Sequence, residues 1–130
     1  MQHIKRLIAE KMKVDKGQVQ HFLSMEIERN GETAAITICK KGHIKRLLRE
    51  QGMEDCRPIS IPLDRGHNVS CEDKACKVAY QSQYQSIIGS LMYIADCTRP
   101  DILRSVCKLA QRNTKPHAEH LAAAKRILRY

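Results

Sequence analysis

Two pairs of neighbouring acids could do chemistry in this chain, Glu54-Asp55 and Glu72-Asp73. Adjacent carboxylates can share a divalent cation, but a two-metal site needs a further acid held on a rigid frame, and both pairs lie in polar, irregular stretches. No Asp-Asp pair is present. His67, Cys71 and Cys76 come nearest to a metal set, yet a structural zinc wants four ligands and a shorter cysteine spacing, so free cysteines are expected there. His117 and His120 stand three apart on one expected helix with no carboxylate beside them and read as surface histidines. With no glycine-rich phosphate loop, no HExxH and no GxSxG, the expectation is that this chain carries no catalytic and no metal residues.

What remains is charge. Lysine and arginine number 23 against 14 acids, a net charge of +9. Residues 1–50 carry 11 basic and 6 acidic side chains, 51–97 carry 4 and 6, and 98–130 carry 8 and 2, so the ends are basic and the middle is not. Such an excess suits a polyanion, nucleic acid above all, although a solvated surface that keeps a small protein soluble explains the same count. One Phe, four Tyr and no Trp disfavour a single-strand stacking platform. The six cysteines are expected to be reduced, because no apolar leader opens the chain. No apolar run approaches the roughly 20 residues that cross a bilayer, so the expected location is intracellular, cytoplasmic or nuclear, with no membrane partner.

The cations need elements to hold them. Ile4, Leu7, Ile8 and Met12 fall on one face of residues 1–13 and Lys5, Arg6, Lys11 and Lys13 elsewhere, a short amphipathic helix whose narrow stripe suits docking on its own domain. Leu23, Met25 and Ile27 alternate with Ser24, Glu26 and Glu28, and Ala34, Ile36 and Ile38 alternate again after Asn30-Gly31. Asn-Gly between alternating runs predicts a β-hairpin with a type I′ turn. Gly42 to Gly52 predicts a helix with Ile44, Leu47 and Leu48 inward, Lys45, Arg46 and Arg49 outward, and Gly52 as its stop. Prolines keep Met53 to Leu63 extended, and a flexible loop is expected near 64–79.

Ser82 and Gln85 have capping-box spacing, which predicts a helix from near Gln83. Its core stripe is Tyr84, Ile87, Ile88, Leu91 and Ala95, and its small-residue face, Ser86, Gly89, Ser90 and Tyr93, reads as a packing seam. Thr98 as cap, Pro100 in the first turn and Asp101 then open a helix that buries Ile102, Leu103, Val106, Leu109 and Ala110. After a turn at Asn113 to Pro116, His117 to Arg129 predicts a last helix with Leu121, Ala124 and Leu128 inside and Lys125, Arg126 and Arg129 outside or at its end. The fold class is α+β, a small antiparallel hairpin beside a mostly helical bundle.

Tyr84 to Ile102, YQSIIGSLMYIADCTRPDI, resembles the LIGSLMYLA...TRPDI signature of copia-type retrotransposon reverse transcriptases, and the likeness spans roughly residues 11 to 130. Phe22 to Ile27 stands on the family's FLGMEI, with Ser24 in place of the usual glycine. Met53 to Leu63 resembles GMEDCKPVSTPL, and the run HLAAAKRILRY resembles HWxAAKRILRYLKGT, with Leu121 in place of the bulky tryptophan. The resemblance implies an end-of-palm helix and primer-grip hairpin over 1–40 and a helical thumb or connection region over 41–130. The family's YVDD catalytic hairpin comes just before the point where this chain begins, and the family continues toward its RNase H domain beyond Tyr130. The resemblance therefore implies a fragment of an RNA-directed DNA polymerase that needs no cofactor of its own, the Mg2+ of the parent family belonging to the missing palm.

Carried onto this sequence, the likeness assigns nucleic-acid contact to Phe22, Leu23, Ser24, Met25 and Glu26 of the grip. It adds the cations Lys45, Arg46, Arg99, Lys125, Arg126 and Arg129, with Arg49, Arg104 and Lys108 beside them, and Arg126 and Arg99 foremost. Arg99 has a rival role, pairing with Asp101 or Asp96. The implied partner is primer–template nucleic acid, RNA–DNA hybrid or duplex, together with the missing palm and RNase H domains. Two other readings stand beside it: a stand-alone basic nucleic-acid-binding module, and a decayed transposon remnant with no selected function.

Overall fold

Alternating apolar residues near the start of the chain and helical stripes after it produce one sheet followed by a helical bundle. The structure is a computed structural model and describes residues 20–64 and 78–130, together with Arg6 and Gly66. The helix expected over 1–13, the acid pair Glu72-Asp73, the His67, Cys71 and Cys76 set and most of the expected loop lie outside the described residues.

Three antiparallel strands, β1 (His21–Phe22), β2 (Met25–Arg29) and β3 (Ile36–Cys39), form a sheet in the order β1-β2-β3. The register pairs Phe22 with Met25, Ile27 with Ile38 and Arg29 with Ile36, so these side chains share one face. The tight turn is not at Asn30-Gly31. Leu23 and Ser24 form a two-residue connection between β1 and β2, with φ of 48° and 58°, the two left-handed residues of a type I′ turn. Leu23 therefore leaves the Met25–Ile27 face to Phe22. The β2–β3 connection is longer, and Asn30 acts through its side chain: Oδ1 accepts from the backbone N–H groups of Glu32 and Thr33 at 2.9 and 3.3 Å. Ala34 supplies the positive φ there, at 55°, and belongs to the turn.

Helix α1 (Lys41–Glu50) ends as its glycine predicts. Gly52 has φ 63°, its N–H donates to Arg49 O, and Met53 N–H donates to Leu48 O, which is a Schellman closure. The long α2 (Val78–Cys97) begins upstream of the expected start, and Ser82 lies inside it. Nothing between Val78 and Ser82 breaks a helix, and the nearby amides turn outward instead: Gln85 Nε2 donates to Asn113 O at 2.8 Å and Gln83 Nε2 to Gln51 Oε1 at 2.8 Å. Thr98 closes α2 rather than opening the next helix, its hydroxyl donating to Ile94 O, and Arg99 takes the cap position of α3 (Pro100–Ala110). The last helix is α4 (Ala118–Leu128).

α2 packs against α3 and α4. The core is the expected stripe Tyr84, Ile87, Ile88, Leu91 and Ala95, joined by Ile94 and by Leu47, Ile102, Val106, Leu109, Leu121, Ala123, Ala124 and Ile127. Tyr84 is fully buried and its hydroxyl donates to Leu109 O at 2.7 Å, and burial raises its pKa to about 12. The small-residue seam is open at Gly89, where an added Cβ would meet nothing within 4 Å among the described residues. His120 does not lie on the surface as its sequence context suggests. It is buried against Tyr84, and its Nδ1 accepts from the His117 backbone N–H at 2.9 Å, holding the first turn of α4. No described helix is long and apolar enough to cross a membrane.

Candidate nucleic-acid interface

The grip residues form an exposed tip on a fixed base. Phe22 and Leu23 are 56% and 66% exposed, Ser24 is exposed between them and β2, and Met25 is half-buried. Two successive left-handed residues without a glycine carry backbone strain, which the surroundings must hold. The hold comes from α2: Tyr93 Oη donates to Leu23 O. Lys40, only 2% exposed, places its ammonium 2.9 Å from the centroid of the same ring, and His43 meets that ring edge-on at 5.6 Å. The small-residue seam of α2 is thus where the sheet is pinned, through its one large member.

Glu26 fixes the other side of the sheet. Its Oε1 accepts from Gly42 N–H at 2.9 Å and its Oε2 from Cys39 Sγ at 3.3 Å, and those hydrogen bonds, the backbone one first, hold its carboxyl below the usual range. A side chain at position 42 would collide with that carboxylate, since a Cβ there would lie 2.9 Å from Oε1. Glu26 is therefore a brace at the α1 N-terminus. Burial first, and then the charges of Arg46 and Lys40, lower the His43 pKa below the usual imidazole value, and its Nδ1 bonds Arg46 Nη2 at 3.0 Å.

The cations divide by what already holds them. Lys45 is exposed on α1 next to Arg46, which lies 3.8 Å from Glu50. Arg49 bonds Glu54 at 3.1 Å, so one acid of the first pair is taken. Arg99 grips Asp101 through Nε and Nη2 at 3.0 and 2.8 Å, stacks 5.0 Å from the Tyr130 ring, and holds the Asp101 carboxyl below the usual range. Of its two expected roles, the structure displays the pairing with Asp101. Arg126 bonds Asp64 at 2.7 Å, and Arg129 Nε donates to Arg57 O at 2.9 Å while Ile59 N–H donates to Arg129 O. Lys125 is half-buried on α4. Arg99 and Arg129 line one cleft of about 300 Å³ with Cys56, Ile94 and Tyr130, and Lys45 and Arg46 stand outside it. Among the described residues no three His, Cys, Asp or Glu side chains come together where they could hold a metal ion.

Sequence reasoning missed Lys40 and Asp64. A lysine at the end of a strand carries no sign of burial, and Asp64 falls in a stretch read only as polar. Tyr93 was legible as the odd large residue on a small-residue face.

No protein-family model matches the chain, and no solved structure does. Relatives among known proteins are informative. The chain is 34% identical over 123 residues to the retrovirus-related Pol polyprotein from transposon TNT 1-94 of Nicotiana tabacum, covering 89% of this chain and 9% of that one. It is 34% identical over 116 residues to the Pol polyprotein from transposon RE1 of Arabidopsis thaliana, covering 89% and 8%. An uncharacterized mitochondrial protein of Arabidopsis thaliana is 33% identical over 116 residues, 89% of this chain and 46% of that one. The chain spans less than a tenth of the two polyproteins it matches. Sharing nine-tenths of its own length with them, it belongs to the retrovirus-related Pol polyprotein family of transposons, of which it spans one segment.

Proposed function

We propose that this segment is the primer grip and thumb of a copia-type reverse transcriptase, and that it clamps a primer–template duplex without catalytic carboxylates of its own. The observation that carries the reading is the Leu23–Ser24 turn, a strained, exposed tip pinned to the helical body by Tyr93. A device that meets a nucleic-acid backbone needs such a tip held in place, and cations on rigid helices for the phosphates. Lys45 and Arg46 are exposed on α1, the helix whose N-terminus the Glu26–Gly42 hydrogen bond braces, so the tip and these cations share one base. Polymerisation, Mg2+ and RNase H belong to other parts of the parent polyprotein.

A stand-alone basic binding module is the second reading, and the mitochondrial relative favours it, since this segment makes up 46% of that shorter chain. The test is a fluorescence-anisotropy titration of labelled primer–template hybrid, duplex DNA and single strands, at low and near-physiological salt, with circular dichroism on the same sample. Binding that survives the higher salt and prefers a recessed primer end supports the clamp. Salt-resistant binding with no preference for the primer end supports the stand-alone module. Weak helix signal with charge-only sticking would leave a decayed remnant.

A further inference from the structure

The cation that the resemblance aims first at phosphate, Arg126, meets a carboxylate of its own chain. Its Nη2 donates to Asp64 Oδ1 at 2.7 Å, while its Nε is buried and has no hydrogen-bond partner among the described residues. Asp64 therefore fills one arm of a guanidinium fork whose geometry suits two oxygens of one group. The chain delivers Asp64 to that spot. Ile59 N–H on Arg129 O and Arg129 Nε on Arg57 O stitch the connector to α4, and Leu63 packs against the core just before Asp64.

Two clefts meet at Leu63 and Asp64. One, of about 420 Å³, is lined by Arg126, Arg129 and Glu119 with Ala122 and Ala123; the other, of about 450 Å³, by Arg104, Ser105 and Lys108 of α3 with Gly66. Cations outnumber acids on the walls of both together. We propose that Asp64 occupies a phosphodiester-binding site between α3 and α4, and that a nucleic-acid phosphate displaces it from Arg126.

The proposal rests on the nucleic-acid reading above and adds a subsite and its regulation. The Asp64–Arg126 pair is partly exposed, 62% and 37% for the two side chains, so it is weakly held. A phosphate group brings two non-bridging oxygens and, once Asp64 is displaced, can engage both the Nη2 that Asp64 takes and the unpartnered Nε beside it. The stitched connector keeps Asp64 at hand, so the carboxylate is a standing competitor that only a polyanion with further contacts outbids.

The experiment uses the full chain and a labelled primer–template hybrid, with Kd measured across salt for wild type, Asp64→Asn, Arg126→Ala, the double variant, and Glu32→Gln. The last removes one negative charge at the far β2–β3 turn. Asp64→Asn is expected to tighten binding about fivefold with the log Kd against log salt slope unchanged, because Arg126 meets the same phosphate in both proteins. Glu32→Gln should not tighten binding, and the gain should vanish when Arg126 is alanine. A gain equal in Glu32→Gln, a gain that survives in Arg126→Ala, or no gain at all overturns the proposal. Wild-type binding without an Asp64→Asn effect sinks this inference alone, whereas absence of binding in every variant sinks it together with the primer–template reading.

Discussion

The hydroxyl of Tyr93 donates to the backbone carbonyl of Leu23, joining the second-last turn of α2 to the tip of a hairpin 70 residues earlier in the chain. Tyr93→Phe keeps the ring beneath Lys40 and removes only this bond. The expected cost is about 1 kcal/mol, with faster amide hydrogen exchange across 21–29 and unchanged protection in α2 to α4. Exchange that quickens equally in the helical bundle would show that the bond is not a local tie.

Ser24 occupies a left-handed conformation, φ 58°, that a glycine adopts without a Cβ penalty. Ser24→Gly should raise stability by about 0.5 to 1 kcal/mol in chemical denaturation, even though glycine loses more freedom on folding. Gly52→Ala, at φ 63° in the Schellman closure of α1, should shift the same midpoint the other way by about 1 kcal/mol. Equal signs for the two variants would contradict this account of the turns.

Tyr84 makes stability sensitive to alkaline pH. Its folded pKa, raised to about 12 by burial, exceeds the unfolded value near 10, so the neutral form fits the fold. Its contribution is fully present below pH 10 and is lost as pH rises toward 12, on the order of 2 to 3 kcal/mol at about 1.4 kcal/mol per unit. Tyr84→Phe should lose about 1 kcal/mol at neutral pH, because Leu109 O forfeits its donor, and should flatten this part of the alkaline profile. Denaturant melts between pH 9 and 12 measure both.

The cations should differ in how much they matter to binding. Lys45→Ala removes an exposed charge from α1 and should reduce the salt slope by about 0.9, one phosphate contact. Arg99→Ala removes a group already spent on Asp101 and the Tyr130 ring, and should leave that slope unchanged. A larger effect from Arg99→Ala would return Arg99 to the phosphate-binding set.

The helical half was readable from the chain because its signals are local. The Tyr84 to Ala95 stripe and the Gly52 stop depend on spacing along one helix and appear where the pattern puts them, while the inner face of α4 keeps Leu121 and Ala124 but turns Ile127 and Ala123 inward and leaves Leu128 half-buried. The sheet was less readable. Asn30-Gly31 carries the strongest turn chemistry, yet the tight turn forms at Leu23-Ser24, where a contact from distant Tyr93 outweighs local preference. The same holds for the site: positive residues are visible in a sequence, but which of them are already neutralised is not. Asp64 reaches Arg126 across 62 residues, and no spacing announces that pair.

The most direct measurement places a photo-crosslinking benzoylphenylalanine at Phe22, beside the tip and half exposed, and maps its adducts on a primer–template hybrid labelled separately at each end. Adducts are expected to concentrate within a few nucleotides of the primer 3′ end, to be lost when excess unlabelled primer–template is added and to be weakened by Tyr93→Phe. Adducts spread evenly along both strands, or none at a salt concentration where the chain still binds, would contradict the claim that this hairpin grips the primer.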